Sequence, residues 1–142
     1  MKNIWPIGLL AFVLAATASV SASVSAADLP DLVGVWEGPS VGYDDGEGYY
    51  EDGEDNTVTL TIAEQRGRIF NGTLVYLNRN GTAVVEGFAG AIGLDNSTFY
   101  LAEFNSGYDV GTIISEDEIE LLYLQDGERG GVSVDTLRRV RE

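Results

Sequence analysis

Two glutamates, Glu86 and Glu103, interrupt otherwise apolar runs, Val84-Val-Glu-Gly-Phe88 and Phe99-Tyr-Leu-Ala-Glu-Phe104. Paired carboxylates are the one acid–base device this chain offers, and they suit sugar hydrolysis, where one acid protonates the leaving oxygen and the other attacks or activates water. At a two-residue period Glu86 shares a face with Val84 and Phe88, and Glu103 with Phe99 and Leu101. Burial in an apolar cavity would raise their proton affinity and make them catalytic candidates. The plainer expectation is that each faces solvent or pairs with an arginine such as Arg68 or Arg79.

A second constellation is Gly42-Tyr-Asp-Asp-Gly-Glu-Gly-Tyr-Tyr-Glu-Asp-Gly-Glu-Asp55, with seven carboxylates, three tyrosines and no positive charge. Calcium takes six to eight oxygens, and Asp44, Asp45, Glu51 and Asp52 are candidate ligands. The spacing departs from a helix–loop–helix calcium site, so calcium stands as a weak candidate cofactor beside a plain solvated loop. Tyr43, Tyr49 and Tyr50 offer flat amphipathic rings suited to contact with a ligand.

Other chemistry is excluded by inventory. The chain has no His and no Cys, so there is no Ser–His or Cys–His nucleophile and no conventional zinc or copper site. Lys2 is the only lysine, no Gly-x-Ser-x-Gly elbow occurs, and no phosphate-cradling glycine loop precedes a helix. The expectation is a non-enzyme, with a carboxylate-dependent hydrolase as the alternative.

Residues 1–26 read as a signal peptide. Lys2 precedes an apolar run from Ile7 to Ala16, and Val24-Ser25-Ala26 supplies a small-x-small cleavage site. The run falls short of the roughly 20 apolar residues of a membrane span. Residues 27–142 then form one domain, secreted or otherwise extracytoplasmic, without disulfides. It carries seven arginines against 23 acids, a net charge of 7 − 23 = −16. That charge repels nucleic acid and anionic lipid and suits a small molecule or a basic protein surface as partner.

The elements that must position these residues are strands. Thr57-Val-Thr-Leu-Thr-Ile62 alternates cleanly, and similar runs cover 33–37, 69–77, 83–92, 98–104, 108–114, 119–124 and 132–140. Asn80-Gly81 and Asp126-Gly127 mark tight turns between them. Eight strands with short links imply an all-β, antiparallel up-and-down barrel, with a two-sheet sandwich as the alternative. The one long link is an acidic loop at 38–56. Several strands are apolar on both faces, which a homo-oligomer would cover.

Gly34-Val35-Trp36 on the first strand and Arg138-Arg139-Val140 on the last resemble the calycin pattern shared by lipocalins and avidins. In those families a Gly-x-Trp packs near a basic residue of the last strand at the barrel's base. The stretch Gln65-Arg-Gly-Arg-Ile-Phe-Asn-Gly-Thr73 is similar to the turn between the second and third avidin strands. The resemblance implies a barrel with structural roles for Trp36, Arg138 and Arg139, and ligand binding at the open mouth under the acidic loop. Biotin binding does not carry over, because residues 27–142 hold Trp36 alone where avidins use several tryptophans. The alternative is a structural or interaction protein of the cell surface, with a filled barrel and an assembling outer face.

Overall fold

The computed structural model describes residues 29–53, 57–78 and 80–141, so the expected signal peptide and Arg79 lie outside the described residues. Ten strands follow one another, with no helix among the described residues: β1 (Gly34–Gly38), β2 (Ser40–Asp44), β3 (Gly48–Glu51), β4 (Val58–Arg66), β5 (Ile69–Leu77), β6 (Ala83–Ile92), β7 (Thr98–Glu103), β8 (Tyr108–Ser115), β9 (Glu118–Gln125) and β10 (Gly131–Arg139). Strands β4 to β10 pair antiparallel in sequence order, and β1 joins β4 to β10. The sheet therefore closes as an eight-stranded barrel, with β2 and β3 as two further strands outside the ring.

Closure runs through Trp36 opposite Arg139 and Glu37 opposite Arg138 on one side of β1, and through Gly34–Gly38 opposite Ile62–Val58 on the other. Closing the ring leaves no free edge along β4 to β10. Pro39 then splits the first strand in two, since it donates no backbone hydrogen bond. Past it the chain stays with β10, Ser40 to Asp44 opposite Asp135 to Gly131, but has left β4, which begins only at Val58. The edge of β2 that β4 vacates is taken by β3.

This corrects the expected acidic loop at 38–56. Its centre is a hairpin with Tyr43 opposite Tyr49. The seven carboxylates masked a two-residue alternation in which Ser40, Gly42 and Tyr50 point inward while Tyr43, Tyr49 and Glu51 point outward. Asp44 makes the turn, its Oδ1 accepting the amides of Gly46 at 2.7 Å and Glu47 at 2.8 Å, and Gly48 follows at φ 78°, where a side chain would be strained.

Inward positions fill the closed half of the barrel. Trp36, Leu60, Ile62, Phe70, Phe88, Phe99, Leu121 and Leu137 are among the buried core, and Leu32 plugs the base. Phe70 meets Phe88 and Phe99 edge to face, at centroid distances of 6.3 and 5.9 Å, a favourable aromatic arrangement. Gly111 and Gly90 make room for these rings: a Cβ on either would overlap Phe99 or Phe70. Trp36 Nε1 donates to Leu32 O at 3.0 Å, so the buried indole leaves no unsatisfied donor.

Candidate functional site

Above this apolar layer, toward the β2–β3 hairpin, the interior turns acidic. The inward alternation of β6 runs Glu86, Phe88, Gly90; that of β7, Phe99, Leu101, Glu103; that of β8, Asp109, Gly111, Ile113; and that of β10, Ser133, Asp135, Leu137. In each strand the acid lies toward the hairpin end, one or two steps above an apolar inward residue. Four carboxyls from four strands thus enter one interior. Glu86, Asp109 and Asp135 are buried, Asp109 with 1% of its surface exposed. No arginine among the described residues forms an ion pair with any of them.

Glu86 and Glu103 therefore do not face solvent or pair with Arg68, contrary to expectation. Arg68 instead donates its Nε to Ile92 O at the other end of the barrel. Strand register decides this: Phe88 and Phe99 must face the core, and residues two and four positions away follow them inward.

Three tyrosines ring the acids. Tyr50 from β3, Tyr76 from β5 and Tyr123 from β9 are each half-buried, and burial raises the proton affinity of all three. Tyr50 lies across Gly42, beside the hydroxyls of Ser40 and Ser133. Tyr123 donates to Gln125 Oε1 at 2.8 Å.

The carboxyls differ in their surroundings. Glu86 Oε1 accepts the backbone amides of Asn105 at 2.7 Å and Ser106 at 3.4 Å. Glu103 is pushed up to about 8 by burial first, then by the negative charges of Asp109, Glu86 and Asp135, and it shares a hydrogen bond with Glu86. Asp109 rises to about 7 through burial, then through Asp135 and Glu86. Burial raises Asp135 as well, against the hydroxyls of Ser40 and Ser133, which lower it. Asp109 Oδ2 and Asp135 Oδ1 are buried without any hydrogen-bond partner. Such an atom costs about 1–3 kcal/mol in place.

The residues singled out from sequence divide. Of the tyrosines, only Tyr50 faces the acids; Tyr43 and Tyr49 are exposed, by 59% and 67%. Asp44 caps its turn, Asp45 lies in that turn with its amide on Gly130 O, Glu51 is exposed on β3, and Asp52 bears electrostatically on Asp135 and Tyr50. Among the described residues no group of three acids is arranged to hold a metal ion. Asp109 and Asp135 are site residues that sequence reasoning missed, although Asp135 alternates with Leu137, and Asp109 with Ile113, as clearly as Glu86 does with Phe88.

The opposite end is closed. Arg139 Cζ stands 4.1 Å from the centre of the Trp36 ring, and its guanidinium donates to Val33 O, Asp31 O and Glu116 O. Arg138 faces outward, 3.5 Å from Glu118. Clefts of about 270 and 410 Å³ flank the 29–33 segment there. They lie at the far end of the barrel from the acids.

Outside, two rows of apolar residues cross the sheet. Tyr100, Val110, Leu122, Val134 and Val41 are successive cross-strand partners, as are Tyr108, Leu124, Val132, Tyr43 and Tyr49. On the far side of the barrel β1 and β4 present Glu37, Thr59, Thr61 and Glu64. β5 and β6 also expose Ile69, Leu77 and Val85.

No family model and no curated protein matches the chain. Among solved structures it is similar to a redesigned β-barrel, with TM-score 0.57 and 12% identity over 85% of this chain and 99% of that one. It is also similar to lobster apocrustacyanin A1, with TM-score 0.48 and 12% identity over 78% of this chain and 61% of that one. At such identity the first likeness concerns the fold: a closed antiparallel barrel.

Proposed function

We propose that the protein binds a small molecule at the hairpin end of its barrel, in the polar interior between Tyr50, Tyr76 and Tyr123, and that it acts outside the cytoplasm after loss of residues 1–26. One observation carries this reading. Asp109 and Asp135 each hold a buried carboxylate oxygen with no partner, although the lower half of the same barrel is filled with apolar side chains. Stability alone favours apolar filling at both ends, since each unpartnered acid is a cost that a bound ligand would offset. The rim tyrosines are half exposed, so the layer that covers the acids at this end borders solvent.

Binding is favoured over hydrolysis by the same geometry. Glu86 and Glu103 are within hydrogen-bonding contact, whereas carboxyl pairs that cleave sugars stand about 5–9.5 Å apart, with the bond between them. The test is native mass spectrometry of protein purified from its host. A retained small molecule, lost in the Asp109→Asn/Asp135→Asn double variant, is the expected result. Protein free of any retained molecule, with no thermal shift across a panel of small solutes, overturns the reading.

A second reading rests on the outer band. Ten apolar residues in two uninterrupted rows are unusual on a chain of net charge −15, and contiguous patches of this kind mark association surfaces. It makes the protein an interaction or structural component that assembles through β7 to β10 and the hairpin. The two readings use opposite faces of the same sheet and are compatible.

A further inference from the structure

Resting on the ligand-binding reading, we infer that the ligand is a small organic cation carrying at least two N–H donors, an alkyl-ammonium type of molecule, held by Glu86, Glu103, Asp109 and Asp135. Besides the hydroxyls of Tyr50, Tyr76, Tyr123, Ser40 and Ser133, the polar groups of this interior are carboxyls. Four carboxyls enter from β6, β7, β8 and β10, and no basic side chain among the described residues meets them. A ligand that brought negative charge would meet four carboxyls and no basic side chain among the described residues. The two unpartnered oxygens, Asp109 Oδ2 and Asp135 Oδ1, are nine-tenths buried or more and belong to inward positions of neighbouring faces. Each requires a donor, and the molecule that supplies both must carry at least two.

A compact metal ion fits less well. Among the described residues no three acids are grouped to ligate one, whereas an ammonium on a carbon stem spans separated carboxyls one hydrogen bond at a time. The half-buried rings of Tyr50, Tyr76 and Tyr123 suit the same class, since aromatic faces attract organic cations.

Charge balance has a consequence for protons. Facing the cluster are Tyr50 from β3, Asp52 just after it, Tyr76 from β5, Tyr123 from β9 and the four acids themselves; none is basic. With Glu103 at about 8 and Asp109 at about 7, the empty site holds protons near neutrality. A cation entering it favours the ionised carboxyls and expels those protons, so affinity rises with pH between about 6 and 8.5. An alkylamine stays charged over that window, with its pKa near 10.

Isothermal titration calorimetry on the full chain tests this, with 1,4-diaminobutane as probe and 1,4-butanediol and calcium chloride as comparisons. Titrations in two buffers of different ionisation enthalpy count protons. The diamine is expected to bind at least about tenfold more tightly at pH 8.5 than at pH 6, with release of protons. Asp109→Asn and Glu103→Gln, checked for folding by circular dichroism, are each expected to weaken it about tenfold or more, and the diol is expected not to bind. Diol binding equal to that of the diamine, preferential binding of calcium, or variants with unchanged affinity overturn the inference. An uncharged molecule retained by protein from the host overturns it while leaving the binding reading intact; neither a retained molecule nor diamine binding overturns both.

Discussion

Arg139 stands over Trp36, its Cζ 4.1 Å from the indole centre, and the two residues are also cross-strand partners where the last strand closes on the first. The same guanidinium reaches Val33 O at 2.6 Å, Asp31 O at 2.8 Å and Glu116 O at 2.9 Å, tying the entering chain and the β8–β9 turn to the ring. Hydrogen bonds from a charged donor contribute about 1.5–3 kcal/mol each and the cation–π contact about 0.5–2, with part of this replaced by water in a variant. Arg139→Ala is expected to lower unfolding free energy by about 2–4 kcal/mol in urea titration. Arg138→Ala removes only an exposed pair and is expected to change it by less than about 0.5 kcal/mol.

Gly42 and Tyr50 set up a second test. A Cβ at Gly42 would overlap the Tyr50 phenol and stand 2.6 Å from Val132 O. The carbonyl belongs to the β10 backbone and cannot step aside. Gly42→Ala is expected to cost about 1–3 kcal/mol by thermal or urea unfolding. Tyr50→Phe keeps the ring and is expected to stay within about 1 kcal/mol of the parent.

Stability should fall as pH rises through neutrality. Glu103 and Asp109 have proton affinities raised above their unfolded values. Between about pH 4.5 and 8 the folded state therefore binds more protons than the unfolded one, and linkage makes unfolding easier with each step up in pH. Asp95 acts the other way at low pH: backbone and hydroxyl donors of Thr98, with Ser97, hold it at about 2, so its contribution is present above pH 4 and lost toward pH 2. Thermal midpoints are expected to be highest near pH 5 and to drop toward pH 8.5. Glu103→Gln is expected to flatten that drop.

The outer band makes a separate expectation. Sedimentation velocity should show a dimer or larger species for the parent chain, and Tyr108→Glu/Leu122→Glu should shift it to monomer with the barrel intact. A parent that sediments as a monomer throughout the micromolar range removes the assembly reading and leaves the interior site untouched.

The barrel was legible because its signals are local. Alternation such as Val58, Leu60, Ile62 and turns such as Asn80-Gly81 report on neighbours in sequence, and every strand from β4 to β9 pairs with the next one along. The β2–β3 hairpin was not, because charge hid its period: Asp44, Glu47 and Glu51 occupy turn and outward positions, while the inward ones, Ser40 and Gly42, are small and carry no apolar signal. The acid cluster failed for a different reason. Glu86 and Glu103 stood out by their apolar neighbours, but the convergence of Asp109 and Asp135 with them depends on ring closure, which brings β10 round to β1 and encloses one interior. Strand phase identified each inward acid singly; only the closed sheet makes them neighbours.

The shared interior of the four acids is reached most directly by nuclear magnetic resonance, following the side-chain carboxyl carbons through a pH titration of the ligand-free protein. Midpoints near 8 for Glu103 and near 7 for Asp109, with Asp135 also raised, are the expected result. All three titrating together near pH 4, as carboxyls in water do, would place them outside the barrel and contradict the site.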